Sequence, residues 1–253
     1  MKADFVLALI ICVTLKKQID NAGDRMKKEF HEEKVVGLLL TFVGGALDAY
    51  TFAHYDVFAS AQTGNMILGI IAAFEGNWQS VAMKSLSALF FILGILLTKY
   101  LIDFFAKKRL HFWRLFVLYF EALIFFGLSF TVINQHQSLV SILVAFTAAI
   151  QWVAFDKIDG KTYTNLFTTG NMKSMTTSFY DFMKTKNPQD KSTFFHYLRV
   201  VLAFISGAIL SIYVYRLFGG QGILMVAFIL LGLALYETFQ VVRFIRETHY
   251  IKK

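Results

Sequence analysis

The chain has 253 residues, is 57% hydrophobic and 17% charged, and its mean hydropathy is +0.56. Its apolar runs of about 20 residues match a hydrocarbon core roughly 30 Å thick and argue against a soluble helical protein. The net charge of +8 lies at the edges of those runs, which argues for membrane flanks and against nucleic acid as a partner, and the lone Cys12 excludes an internal disulfide or a cysteine metal cluster.

Residues 1–34 read as a basic, cytoplasmic N-terminal extension. Its apolar run, residues 5–15, is too short to span, and the first 25 residues read either as a segment with a short interfacial helix or as an upstream extension before Met26. The first span is predicted over 35–52, VVGLLLTFVGGALDAYTF, with Gly44, Gly45 and Ala46 allowing close helix contact. Asp48 is a carboxylate inside that run, and such a residue is expected to face protein or water. After HYDVFASAQ comes TGNM at Thr63, then an apolar run to Phe74 that is half a membrane long. Residues 81–101 form the second span and 112–133 the third, with Glu121 near its middle.

The same letters, TGNM, return at Thr169 behind a fourth apolar run, 139–154, and a polar loop, DKIDGKTYTN. A fifth span is predicted over 195–217 and, after FGGQG, a sixth over 223–242 containing Glu237. The matched placement of the two TGNM segments predicts an internal duplication, about 35–133 and 139–243, within one membrane domain, followed by a basic cytoplasmic tail, 244–253.

With six spans and the N-terminus inside, 22 of the 25 Lys and Arg residues fall on cytoplasmic segments. Full crossing by both TGNM segments would move Lys107, Lys108 and Arg109 outside, so the segments are predicted to be re-entrant. Three spans per half make the repeats inverted, an architecture in which interrupted helices surround a midplane site. The expected fold is therefore an all-α integral membrane protein of the cell membrane. It has six transmembrane helices in two inverted three-helix repeats, each with a re-entrant half-helix at TGN, and both termini cytoplasmic.

GGALDAYTF, the AQTGN segment, and a second half carrying IQW and TTGN resemble the YoaK family of bacterial multi-pass membrane proteins over residues 35–243. The resemblance implies a multi-pass membrane protein and supplies no reaction. It also implies that Gln151 takes the place in the second half that Asp48 has in the first. The spacing differs: Asp48 precedes Thr63 by 15 residues and Gln151 precedes Thr169 by 18.

Thr63, Gly64, Asn65, Thr169, Gly170 and Asn171 are candidates to line a central site. Hydroxyl, amide and free backbone N–H groups at a half-helix start favour an anion or polar solute; capping of the break is the competing role. Asp48, Tyr50, Gln151 and Trp152 would complete a polar cavity, although Tyr50 and Trp152 equally suit an interface belt. Glu121 and Glu237 are candidate coupling acids, or else neutral acids hydrogen-bonded between helices. The six histidines show no paired ligand spacing, and no HExxH, GxSxG or complete phosphate loop occurs, so neither an enzyme, a metal nor a cofactor is expected. The expected role is movement of a small polar solute or ion across the bilayer, with a non-transporting scaffold, sensor or partner-binding protein as the alternative.

Overall fold

A computed structural model describes residues 30–108, 110 and 112–250. The expectations for the N-terminal run, for Met26 and for Arg109 lie outside them. The elements are α1 (Lys34–Tyr55), α2 (Gln62–Phe74), α3 (Trp78–Lys107), α4 (Trp113–Leu128), α5 (Thr131–Asn134), α6 (Gln137–Ala154), α7 (Thr169–Thr185), α8 (Pro188–Phe218) and α9 (Leu224–Tyr250). Four stretches are long and apolar enough to cross a membrane: α1, α3, α6 and Pro188–Phe244, the last holding α8 and most of α9 around a 3-10 turn, Gly219–Ile223. This is a helical, multi-span membrane protein.

The third predicted span is shorter than expected. α4 has 16 residues, about 24 Å of helix, and the chain breaks at Ser129 and Phe130 before the four-residue α5. Conversely, α8 begins seven residues before the predicted fifth span, because Asn187 caps it by accepting from Gln189 N–H (3.0 Å) and Pro188 suits the first turn. The polar loop after α6 contains a two-stranded hairpin, Lys157–Ile158 with Lys161–Thr162. It docks on a 3-10 turn, Phe30–Glu32, through Asp159 N–H to Glu32 O (2.8 Å) and Gly160 N–H to the Glu32 carboxylate (3.0 Å).

α1 is the central helix: 67% of its apolar window is buried, against 33% for α3. Hydroxyls within the apolar helices fold back on their own backbone, as Thr41 does on Gly37 O (2.7 Å) and Thr98 on Gly94 O (2.8 Å), so these polar atoms need no outside partner. On α3 the face holding Leu89, Ile92, Leu96 and Tyr100 is exposed, as is the face of α8 holding Leu202, Ile209, Tyr213 and Leu217; both are apolar surfaces suited to lipid.

The packing has a matched plan. α1 lies against α8 and α6 against α3, while α2 leans on α3 and α7 on α8; α4 and α9 pair with each other. A methyl at Gly207 would strike the Phe42 carbonyl, and one at Gly94 would strike the Phe146 carbonyl. Each close approach lets two long helices touch backbone to backbone. Contacts between Phe42 and Gly207, Ala46 and Ser211, and Tyr50 and Tyr215 advance together, so α1 and α8 run in parallel.

Candidate functional site

The two loops that lead into α2 and α7 enter from opposite ends of the bundle. Tyr55 donates to Asn134 O (3.1 Å), which sets the end of α1 beside the far end of α4. Arg114 Nε donates to Ala154 O (2.6 Å), which sets the end of α6 beside the start of α4. The chain then turns inward on both sides, and the loops meet where Ser60 Oγ lies 3.0 Å from Leu166 O. Ala59, Ser60, Asn165 and Leu166 are all buried. Non-helical backbone inside the bundle is thus covered by protein, and Gly44 on α1 makes room for it, since a methyl there would collide with the Asn165 carbonyl.

The two TGN motifs have the same job in each half. Asn65 accepts from Phe58 N–H at its Oδ1 (2.8 Å) and donates from Nδ2 to Phe58 O (2.9 Å). Asn171 accepts from Thr164 N–H (3.2 Å) and donates to Thr164 O (2.7 Å). In both copies an amide pairs with the backbone of the residue seven positions earlier, as a neighbouring strand would, and so holds the incoming loop against the first turn of its helix. Both asparagines are buried, whereas Thr63, Thr169 and Gly170 are exposed and Gly64 is half-buried. The motif therefore points its amide inward to the loop and its threonine outward.

Asp48 reaches the crossing. Its Oδ1 accepts from Ser60 N–H (2.7 Å), and its Oδ2 lies 2.6 Å from Ser60 Oγ. From the other side, Asn165 donates to Phe155 O (2.8 Å) and to Gln151 O (3.3 Å), closing the end of α6. Gln151 donates to Leu40 O on α1 (3.2 Å). The side-chain oxygens of Gln151 and Asn165 are buried and have no partner among the described residues. Two buried acceptors are thus left over at the end of α6, and the Gln151 amide sits against Leu40, about 12 Å along α1 from Asp48.

The remaining predicted residues lie away from the crossing. Tyr50 is buried; its hydroxyl donates to Gly220 O (2.7 Å) and accepts from Asn134 Nδ2 (2.8 Å), binding α1 to the turn before α9 and to α5. Trp152 lies against Phe91 and Phe167, with ring centroids 5.9 and 4.9 Å away. Counted from the Phe42 and Phe146 contacts, Asp48 stands six residues on, Gln151 five and Trp152 six. Glu121 is fully buried on α4 and neither carboxyl oxygen has a partner among the described residues. Glu237 is buried on α9, with Arg114 and Glu33 within electrostatic range and one oxygen likewise unpartnered.

Ser60, Asn134 and Asn165 escape the sequence reading. For Ser60 and Asn165 a faint signal existed: each lies in the seven-residue interval that ends on the motif asparagine. Asn134 gave none, because its partners, Tyr50, Leu128 and Gly220, are brought together only by folding.

No curated protein and no solved structure matches the chain. The model of a family described as "Protein of unknown function (DUF1275)" matches residues 36–236, which takes in both loops, both TGN motifs and every helix from α1 into α9. With most of its length inside that match and the YoaK-like signature in its first half, the chain belongs to the DUF1275 family of multi-pass membrane proteins.

Proposed function

We propose that the protein is a secondary transporter or channel-like protein that moves a small polar solute or ion across the cell membrane, built from two inverted repeats of three spans. In this reading α2 and α7 are re-entrant half-helices, one entering from outside and one from the cytoplasm, and both termini are cytoplasmic. The observation that carries it is the crossing at Ser60 and Leu166, where two loops from opposite ends meet behind identical asparagine clamps. Interrupted helices that meet at the middle of a bundle are how transporters place backbone polar groups around a midplane site.

The solute site of this reading lies at the crossing. Asp48 and Gln151 supply polar groups, and Asn65 and Asn171 shape the breaks. Thr63, Gly64, Thr169 and Gly170 stand at the helix starts on the outward side, while Tyr50 and Trp152 fix the helix contacts on either side of the crossing. Glu121 and Glu237, on the flanking α4–α9 pair, are the proposed coupling acids. No catalytic step, metal or cofactor enters the reading. Uptake and exchange in proteoliposomes, against a panel of small polar solutes and ions with and without a proton gradient, tests it. Glu121→Gln is expected to abolish gradient-driven accumulation while leaving exchange at equal concentrations. Failure of every solute to move would overturn transport, and wild-type accumulation by E121Q would remove Glu121 from coupling.

A second reading, a non-transporting scaffold or sensor, is favoured by one observation: both motif asparagines spend their amides on their own loops. The same liposome assay separates the two.

A further inference from the structure

Ser60 has one hydroxyl proton and two close oxygens that want it. Asp48 Oδ2 lies 2.6 Å from Ser60 Oγ, and Leu166 O lies 3.0 Å from the same atom. A hydroxyl can donate once and accept twice. With a single proton the hydroxyl must share it between the two oxygens; both contacts are full two-centre hydrogen bonds only if a second proton is present, and Asp48 Oδ2 is the place for it. Asp48 Oδ2 then donates to Ser60 Oγ, Ser60 donates to Leu166 O, and Asp48 Oδ1 still accepts from Ser60 N–H at 2.7 Å. The backbone N–H groups of Ala59 and Ala61 also bond to the Asp48 carboxyl, which can accept from them in either protonation state.

We infer that Asp48 and Ser60 form a proton-binding site at the crossing, in which the bound proton ties the loop of the first half to the loop of the second. Loss of the proton to water leaves a carboxylate that claims the Ser60 hydroxyl, so Leu166 O loses its donor and the two loops part. A metal ion suits the place less well, because oxygens 2.6 Å apart are in hydrogen-bond contact and leave no room for a cation between them.

The ionisable groups on the surrounding elements leave Asp48 to itself. α6 has none. Lys84 on α3 is committed to Asp56 (2.8 Å) and Ser80 (2.7 Å), and Tyr215 on α8 faces Tyr50 and His54, nearer the end of α1. Tyr163, on the second loop, lies against Gly37 about three turns back along α1, near the Lys34–Asp159 pair (3.0 Å); Glu237 on α9 belongs to the surroundings of Arg114 and Glu33. The site does not depend on solute movement, so it stands or falls apart from the transport reading.

The test is amide hydrogen exchange across residues 164–168 in the full chain in nanodiscs, from pH 5 to pH 9 and corrected for intrinsic rates. Wild type is expected to lose about tenfold in protection as the pH rises, the worth of one buried hydrogen bond. Asp48→Asn is expected to stay protected throughout, because its Nδ2 donates to Ser60 Oγ as the protonated acid does. Ser60→Ala is expected to exchange fast at every pH, while Ser60→Thr behaves as wild type. Infrared spectra at pH 5 should show a carboxylic acid band that D48N lacks and E121Q retains. Loss of protection in D48N at all pH values would overturn the inference, since it would mean that Asp48 serves as a charged acceptor. PH-independent wild-type exchange, or identical infrared spectra for wild type and D48N, would overturn it as well.

Discussion

Asn65 shows what one side chain holds together. Its buried amide pairs with both backbone groups of the half-buried Phe58 and also donates to Gln62 Oε1 (2.9 Å). Truncation would strand a backbone N–H and a backbone C=O, at about 1–3 kcal/mol for each buried group. Asn65→Ala is therefore expected to lower the thermal midpoint in detergent by several degrees, with abundance and activity falling together. Asn65→Asp keeps the acceptor and loses the donor, so it should fall between. Fluorescence-detected gel filtration after heating reads this directly, and an unshifted midpoint for N65A would show that the clamp holds nothing. Asn171→Ala should behave alike, because its two bonds to Thr164 are the same pair.

Between elements, the small residues and one histidine decide the contacts. Gly207 lets α8 meet α1 at the Phe42 carbonyl, and a methyl has no place to go. Gly207→Ala is expected to separate the two helices and give aggregated or degraded protein. Gly232→Ala on α9, where the methyl would meet nothing within 4 Å, should be neutral or slightly stabilising through helix propensity. Monodisperse yield of the two variants is the comparison, and equal yields would refute the role of close approach. His31 stands where the N-terminal 3-10 turn docks, its ring set edge-on to Phe155 at 6.4 Å. Burial first, then the charges of Arg114 and Lys157, push its pKa from 6.5 down to about 3. The undocked form takes up the proton first on acidification. Docking is therefore unaffected above about 6.5 and weakens as the pH falls toward 3, by about 2 kcal/mol at pH 5. Exchange of the Asp159 and Gly160 amides, which bond to Glu32, should quicken at pH 5 in wild type and not in His31→Phe; a flat wild-type profile would refute it.

For the whole molecule the question is orientation. Residues 134–138 and the end of α7 lie at opposite ends of the bundle in the proposed arrangement, the first external and the second cytoplasmic. Gln137 and Lys184 are both exposed and serve as reporters. After replacement of Cys12, an impermeant thiol reagent added outside cells should label Gln137→Cys and spare Lys184→Cys. Labelling of both to the same extent would end the inverted arrangement and the re-entrant reading of α2 and α7 with it.

Much of the fold was legible in the residues alone, and the reason is solvent. A bilayer forces each spanning run to be long, apolar and helical, so α1, α3, α6, α8 and α9 stand out by length and composition. α4 was overextended because hydropathy runs on through Ser129 and Phe130, where the backbone bends. The TGN repeat marked where the helices break and which asparagines matter. Tertiary structure decided what those residues touch. Asn65 and Asn171 turn to loops seven residues back, Tyr50 to a turn 170 residues away, and Asp48 to Ser60 beside Leu166 of the other half. Periodicity reports which side of an element is apolar, whereas a hydrogen bond needs two specific atoms within about 3 Å. Only the meeting of the two loops brings those atoms together.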